Sequence, residues 1–421
     1  MSANVYHEFT WRGMVYDGTE GVEDVLAREK VTAYIGFDPS AASLHVGSLL
    51  PMMALARLQH FGHSPIAIVG GGTGLIGDPS GKAQERALMT REQVEQNLQG
   101  IRAQLASVLD FDASPNPARI VNNADWLCQL DMMTFLRDVG KNFTVNYMLA
   151  KESVNRRLEQ EDGISFTEFS YLLLQAYDFL TLYDRYGCTL QMGGSDQWGN
   201  ITAGCDLIRK TRGGKAHGLV LPLVTSASGV KFGKTEAGTI WLDPELTKPY
   251  DFYQFFLNTD DRDVVTYLKY FTFLDRDAIR DLEASVAAAP EKREAQRALA
   301  REVTRLVHGR NEAVRVERDA QTRQKGARGS SVVEYLQAVD AVEVDVPSDG
   351  ISVVRLALEA GLESSSSATI RLIEQGGLYL NDERVTSRHM VVKREQAIHG
   401  SIFELRKGKG VRLVVRVKKT N

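Results

Sequence analysis

Two short stretches set cationic or imidazole side chains beside glycine, a combination that suits phosphate. The first is Asp38-Pro39-Ser40-Ala41-Ala42-Ser43-Leu44-His45-Val46-Gly47-Ser48, between an apolar run at 31–37 and a helical pattern. A helix that starts there presents unpaired N–H groups and the positive end of its dipole. Ser43 is the expected cap, and Pro51 falls in the first turns, where proline is tolerated. His45 would project into the same space, and Gly47 would let a nucleotide approach closely. The second stretch is Lys231-Phe232-Gly233-Lys234-Thr235, whose two lysines and hydroxyl could close over a polyphosphate. Each has a blander reading when taken alone: a strand-to-helix turn with an incidental histidine, and a pair of solvated lysines.

Three further stretches carry polar groups in apolar company. Gly70-Gly71-Gly72-Thr73-Gly74-Leu75-Ile76-Gly77-Asp78-Pro79-Ser80-Gly81-Lys82 contains a literal GxGxxG at Gly72, Gly74 and Gly77. Asp78-Pro79-Ser80-Gly81 is a turn signal, whereas a dinucleotide fingerprint should open a helix. The P-loop pattern fails as well, since Ala83 follows Lys82. What survives is a loop whose Thr73 and Asp78 face a ligand. Ser165 and Glu168 have the spacing of a capping box, so a helix is predicted there, with Gly187 to stop it. Tyr171, Gln175 and Asp178 then form one polar stripe at i, i+4 and i+7. Their neighbours Phe169, Leu172, Leu173, Ala176, Phe179 and Leu180 are apolar. A stripe buried among them must be satisfied by protein groups or by a ligand. Gly193-Gly194-Ser195-Asp196-Gln197-Trp198 ends another apolar run, where glycine admits a ligand and Asp196 could hold ribose hydroxyls. A plain strand-to-helix turn capped by Ser195 is the simpler reading.

The elements that must position these groups are an alternation of buried strands and helices. Runs at 31–37, 65–70, 118–123, 189–194 and 219–225 read as buried strands, with helical patterns between them. That alternation predicts a parallel sheet with helices on both faces, and ligands beyond the C-terminal ends of its strands. The pattern from 249 to 323 is helical only. A charged stretch follows, and a compact module runs from Ile351 to the end. The expected organisation is thus a nucleotide-binding domain at 1–248, a helical domain at 249–323, a linker at 324–350 and a C-terminal domain at 351–421.

Bulk composition limits the function classes. The chain has 421 residues, 43% hydrophobic and 25% charged, with a net charge of −4. That describes a globular protein of two or three domains without a general polyanion-binding surface. The C-terminal end differs. From Lys393 onward nine Lys or Arg stand against Glu395 and Glu404, a local charge of +7, and the stretch 401–419 alternates like strands. A basic folded surface on an acidic protein suggests a nucleic acid, with a solubilising tail as the simpler alternative. Cys128, Cys188 and Cys205 lack zinc-ligand spacing and make a disulfide framework implausible, which fits a reducing compartment. The first residues lack the apolar core and basic lead of a signal peptide, and no run reaches the roughly 20 apolar residues of a membrane span.

The order of these stretches is distinctive. His45-Val46-Gly47-Ser48 after the first strand, Gly193-Gly194-Ser195-Asp196-Gln197 in the middle and Lys231–Thr235 after the fifth strand resemble the class I aminoacyl-tRNA synthetases. The first stands where that class has HIGH and the last where it has KMSKS. The stretches at 34–47, 75–82, 166–179 and 193–200 are similar to those of bacterial tyrosyl-tRNA synthetases, and the similarity covers nearly the whole chain.

The resemblance implies a Rossmann-like catalytic domain, an all-α domain and a small α+β C-terminal RNA-binding module of ribosomal-protein type. It implies that L-tyrosine is activated with ATP, accompanied by Mg2+, and transferred to tRNA(Tyr) in the cytoplasm. No protein nucleophile, dedicated metal site or tightly bound cofactor is expected. Tyr34 and Asp178 would hold the phenol. Asp78, Tyr171 and Gln175, with Thr73 nearby, would hold the ammonium group, and Gln197 the region of the new acyl-phosphate. Gly36, Asp38, Gly193 and Asp196 would contact the adenylate, with Gly47, Ser48 and Lys234 also on the ATP side. His45, Ser40, Lys82, Arg86, Lys231, Lys234 and Thr235 would act on the leaving pyrophosphate. Ser48 departs from HIGH, and Phe232-Gly233 departs from KMSKS. Arg406, Lys407, Lys409 and Arg412 would contact RNA. A homodimer is implied, with its interface around Phe135 to Met148.

Other readings remain open on the residues alone. A nicotinamide-dependent dehydrogenase would use the GxGxxG match but leaves the lysine loop and basic module unexplained. A non-catalytic RNA-binding protein with a synthetase-like body would not need Tyr34, His45, Asp78, Asp178 and Lys234. Tryptophanyl-tRNA synthetase is the nearest rival within the class, and the pair Tyr34 and Asp178 favours tyrosine.

Overall fold

The computed structural model describes residues 4–80, 89–160, 163–227, 229, 232–235, 238–324, 341–347, 349–381, 383–398, 401–408 and 411–418. They form two units, Met1–Val316 and Glu317–Asn421.

The first unit is built on a sheet of strands β1 (Asp17–Gly18), β2 (Thr32–Phe37), β3 (Ser64–Val69), β4 (Arg119–Asn122), β5 (Cys188–Gly194) and β6 (His217–Leu221). Their spatial order is β1-β6-β5-β2-β3-β4. Strands β2 to β6 pair in parallel, as the five apolar runs predict. Strand β6 is buried along its whole length and β3 along nearly all of it, as expected of parallel strands covered on both faces. The fifth run stops at Leu221, short of the expected residue 225, because Pro222 has no N–H for the ladder. The two-residue edge strand β1 is antiparallel to β6 and was not expected. Strand β2 has β3 on one side and β5 on the other, so the connections leave it in opposite directions. That arrangement opens a crevice beyond the C-terminal ends of β2 and β5.

Two helix starts differ in detail from the expectation. The helix Leu49–His60 is preceded by a 3-10 turn, Val46–Ser48, whose capping side chain is that of His45. Ser43 is therefore not the cap. Its hydroxyl is buried and engaged by Gln104 and by the backbone of Asp243. The helix Phe166–Tyr186 starts where predicted, with the Ser165 side chain accepting from Glu168 N and Gly187 ending it at φ 59°. The capping box is only half made, because the Glu168 carboxylate is committed to a buried ion pair with Arg157 at 3.1 Å. Nor does Ser195 cap the helix Trp198–Arg212. A 3-10 turn, Ser195–Gln197, leads into it without a side-chain cap.

Helices Pro249–Leu257, Asp261–Phe271, Arg276–Ala288, Glu294–His308 and Arg310–Gln324 follow, as the helical pattern predicts. Two buried arginines join this region to the sheet layer. Arg57 donates to the carbonyls of Tyr270 at 2.9 Å and Lys269 at 3.1 Å. Arg12 donates to Lys269 at 2.9 Å and Leu274 at 2.8 Å. Both also reach Thr272 O. Cations at a helix C-terminus oppose the negative end of its dipole. Burial pushes the Arg57 guanidinium well below its usual pKa.

The second unit carries a sheet of Glu383–Arg384, Leu378–Leu380, Ile402–Lys407, Val411–Val417 and Val342–Val344, in that spatial order. The last pair is parallel. Val342–Val344 thus falls inside the stretch 324–350 expected as linker, so folded structure begins before Ile351. Helices Val353–Glu359 and Ser366–Glu374 cover the core around Leu356, Leu378, Phe403, Leu405 and Val415.

Candidate functional site

The crevice beyond β2 and β5 is a cleft of about 1420 Å³. Tyr34, on β2, and Asp178, on the helix Phe166–Tyr186, both line it, with only 2% and 3% of their surfaces exposed. Asp178 accepts from Trp126 Nε1 at 2.6 Å and from Asn123 Nδ2 at 2.9 Å. Burial raises its carboxyl to about pH 7 against the pull of those two hydrogen bonds. Among the described residues, the buried Tyr34 hydroxyl has no hydrogen-bond partner. Its pKa is pushed well up, first by burial and then by the nearby Asp178. A buried hydroxyl without a partner is costly, and a ligand that supplies one would relieve the cost.

The polar stripe on the helix is real, and the fold satisfies it. The Tyr171 hydroxyl donates to Asp38 Oδ2 at 3.0 Å, while Thr73 Oγ1 donates to Asp38 Oδ1 at 3.0 Å. Asp38 therefore sits among the groups expected at the ammonium end. Gln175 donates to Gln197 Oε1 at 3.3 Å, and Gln197 Nε2 donates to Asp78 Oδ2 at 2.7 Å. Asp78 Oδ1 accepts from Ser80 N at 2.9 Å, so the turn expected at Asp78-Pro79-Ser80 forms. Gly70 permits this crowding, because a Cβ there would lie 2.3 Å from Asp38 Oδ1.

At the other end of the cleft, the two phosphate-suited stretches lie against each other. His45 Nδ1 accepts from Gly47 N at 3.0 Å, and a Cβ on Gly47 would come within 2.7 Å of the imidazole. Gly47 is thus required by the fold of His45 itself, before any nucleotide is considered. Gly233 has φ 82°, and a Cβ there would meet Val46 Cγ2 at 2.4 Å. Phe232 stacks on Phe271 with ring centroids 5.2 Å apart, which roots the loop in the helical region. Val46 N donates to Ile240 O at 3.0 Å, and Ile240 N donates to Gly233 O at 3.1 Å. Gly36, Ser40, Ser48, Gly193 and Asp196 also line the cleft, and Gly36, Ser40 and Asp196 are exposed. A glycine at 36 leaves space where a Cβ would meet nothing within 4 Å.

The family comparisons agree on one assignment. The model for tRNA synthetases class I (W and Y) matches residues 26–324, and that for the SYY-like C-terminal domain of tyrosine–tRNA ligases matches residues 333–412. A tyrosine–tRNA ligase of Roseiflexus castenholzii is 52% identical over 412 residues, 96% of this chain and 97% of its own. That of Bacillus caldotenax is 52% identical over 419 residues, 97% and 98% of the two chains. The chain belongs to the class I tyrosyl-tRNA synthetase family. A solved C-terminally truncated mitochondrial tyrosyl-tRNA synthetase of Aspergillus nidulans superposes with a TM-score of 0.70 at 32% identity. It covers 76% of this chain and 94% of its own.

Within this family framework the structure brings together Tyr34, Thr73, Asp78, Tyr171, Gln175, Asp178 and Gln197 as one connected lining. Lys82, Arg86, Lys231 and Lys409 lie outside the described residues. Lys234 and Thr235 are described by their backbone, which pairs with Gly238–Thr239. Arg406 lies over the Tyr379 ring at 3.8 Å, and Lys407 pairs with Glu363 at 2.7 Å. Arg412 faces Arg406 across the strand pair Ile402–Lys407 and Val411–Val417. Two site residues went unnamed in the sequence reading, Asn123 and Trp126. The available signal was their position, Asn123 at the end of a predicted strand and Trp126 just past it, where ligand-facing groups gather. Among the described residues no cluster of three His, Cys, Asp or Glu could hold a metal ion, and no helix is long and apolar enough to cross a membrane.

Proposed function

We infer that the chain is a tyrosine–tRNA ligase, which activates L-tyrosine with ATP and transfers the tyrosyl group to the 3′ end of tRNA(Tyr). The observation that carries the specificity is the pair at the closed end of the cleft: a buried Tyr34 hydroxyl without a partner, beside a buried Asp178. A phenol placed between them accepts from the first and donates to the second. Phenylalanine would leave the buried Tyr34 hydroxyl unpaired, which is penalised, and would offer Asp178 no donor.

The chemistry follows from placement. The substrate carboxylate attacks the α-phosphorus of ATP, pyrophosphate leaves, and the terminal ribose of the tRNA then attacks the acyl-adenylate. The chain's own contribution is orientation and charge where charge develops. Asp78, Tyr171, Gln175 and Thr73 would hold the ammonium group, and Gln197 the acyl-phosphate. Gly36, Asp38, Gly47, Ser48, Gly193 and Asp196 would contact the adenylate. His45, Ser40, Lys82, Arg86, Lys231, Lys234 and Thr235 would act on the pyrophosphate. Magnesium would arrive with the ATP phosphates. The juxtaposition of Val46 with Gly233 supports a joint action of the two signature stretches. Tyrosine-dependent ATP–pyrophosphate exchange tests the reading. Equal exchange with tyrosine, phenylalanine and tryptophan would sink it.

The finer assignments have separate tests. The C-terminal unit would bind tRNA through Arg406, Lys407, Lys409 and Arg412, with release of counterions. A chain ending near Ser330 should keep exchange and lose most aminoacylation, and tRNA affinity in the full chain should fall steeply with salt. Full charging by the truncated chain would refute that role. A homodimer through the region around Phe135 to Met148 is supported by exposed Met132, Met133, Leu136 and Val145. Sedimentation before and after Leu136→Asp decides it. The proposed compartment is the cytoplasm, consistent with three free cysteines.

A further inference from the structure

The segment from Pro39 to Leu44 contains no helix or strand, yet it separates Asp38 from His45 at the catalytic end of the cleft. Another element must hold it. That element is the helix Arg91–Ala106, whose first turn is fixed by a capping box between Thr90 and Gln93.

Three residues of the helix touch the segment in succession. Asn97 donates from Nδ2 to Pro39 O at 2.8 Å. Gly100 faces Ala42, so closely that a Cβ would lie 2.1 Å from Ala42 O. Gln104 accepts from Leu44 N at 2.8 Å and donates to Ser43 Oγ at 2.8 Å. Positions 97, 100 and 104 follow the i, i+3, i+7 spacing of one helix face. Glycine is among the poorest residues inside a helix, so its presence at 100 answers to the contact and not to the helix. Ser43 Oγ also accepts from Asp243 N at 3.2 Å, and Leu242 N donates to Leu44 O at 2.9 Å. The same knot therefore reaches the segment that pairs with the Val46 stretch.

We propose that this face is a clasp, and that Asn97, Gly100 and Gln104 are positioning residues for adenylate formation. They touch no substrate. They set the path of the chain between Asp38 and His45, and so the placement of groups around the reacting phosphate. The proposal rests on the tyrosine–tRNA ligase reading. Its signature is selective: the clasp holds the phosphate end and leaves Tyr34 and Asp178 alone. Tyrosine binding should survive its loss while the chemical step slows.

The experiment compares equilibrium tyrosine binding with single-turnover adenylate formation in Gly100→Ala, Gln104→Leu and Gln104→Glu. Gly100→Ala should slow adenylate formation roughly a hundredfold, as for a displacement of about 1 Å near the reaction. Gln104→Leu should slow it roughly tenfold by leaving Leu44 N unpaired. Gln104→Glu keeps an acceptor for Leu44 N and should recover most of the rate. Tyrosine affinity should stay within about twofold throughout, the mark of an effect on the transition state. Unchanged rates in Gly100→Ala and Gln104→Leu overturn the clasp, and so does a parallel loss of tyrosine affinity. If Gly100→Ala does not fold, the two Gln104 variants decide: slow Leu with fast Glu supports the clasp, equal rates refute it. Exchange by the unaltered chain without tyrosine would sink the functional reading instead.

Discussion

The two ends of the cleft are made of different materials. At the proposed tyrosine end the candidate groups are side chains rooted in a central strand and a long helix, buried to within a few per cent. Asp178 there has both oxygens committed before any ligand arrives. At the proposed phosphate end the structure is backbone against backbone, with Gly233 allowing the approach, and Ser40 and Asp196 open to water. Charges act more strongly where water is excluded. On the proposed assignment the contrast is a division of labour: a few dry contacts would choose the substrate, and many wetter ones would drive the reaction.

That division can be broken by substitution. Asp178→Ala should have the largest effect, lowering kcat/KM for tyrosine about a hundredfold, as for the loss of a buried charged acceptor. Lys234→Ala should be smaller, lowering the rate constant of adenylate formation roughly tenfold with tyrosine affinity unchanged. Stopped-flow tryptophan fluorescence separates the two. A tyrosine affinity that responds to Lys234 would erase the distinction. Tyr34→Phe should weaken tyrosine activation by about 0.5–1.5 kcal/mol. It should also leave the Tm of the unliganded chain the same or higher, because the hydroxyl it removes has no protein partner. A lower Tm would show that the hydroxyl is already satisfied.

A separate test concerns proton uptake. Asp178 is held at about 7 where the ordinary value is 3.8. Between those values the folded chain binds a proton that the unfolded chain releases, so ionisation of Asp178 reduces stability as pH rises. The Tm of the unaltered chain should therefore fall relative to that of Asp178→Asn between about pH 4 and about pH 7. A constant gap would mean that the carboxyl titrates as it does in water.

The sequence displays the parts of this site that follow local rules. Strands β2 to β6 were legible because parallel strands buried on both faces read as continuous apolar runs. The polar stripe of Tyr171, Gln175 and Asp178 was legible because helical spacing is a local property. What stayed hidden depends on distant partners. Strand β1 has two residues and exists through pairing with Val220 and Leu219, some 200 positions away. Val342–Val344 read as linker because its ladder partner begins at Val415. Ser43 has the right type and place for a cap, but Gln104 and Asp243 claim its hydroxyl. Glu168 fits the capping box, yet its carboxylate goes to Arg157. The roles of Asn123 and Trp126 arise only when a turn after β4 meets a helix more than 50 residues later.

The joint made by Arg12 and Arg57 sets how the seam between the sheet and the helices beyond it tolerates substitution. Among the described residues, every hydrogen bond of Arg57 ends on a backbone carbonyl, those of Met53, Lys269, Tyr270 and Thr272. Such acceptors belong to the main chain, so the side chains at 269 and 270 can change without unfastening the seam. Lysine in place of Arg57 cannot hold it, because a single ammonium lacks the planar fork that reaches several carbonyls at once.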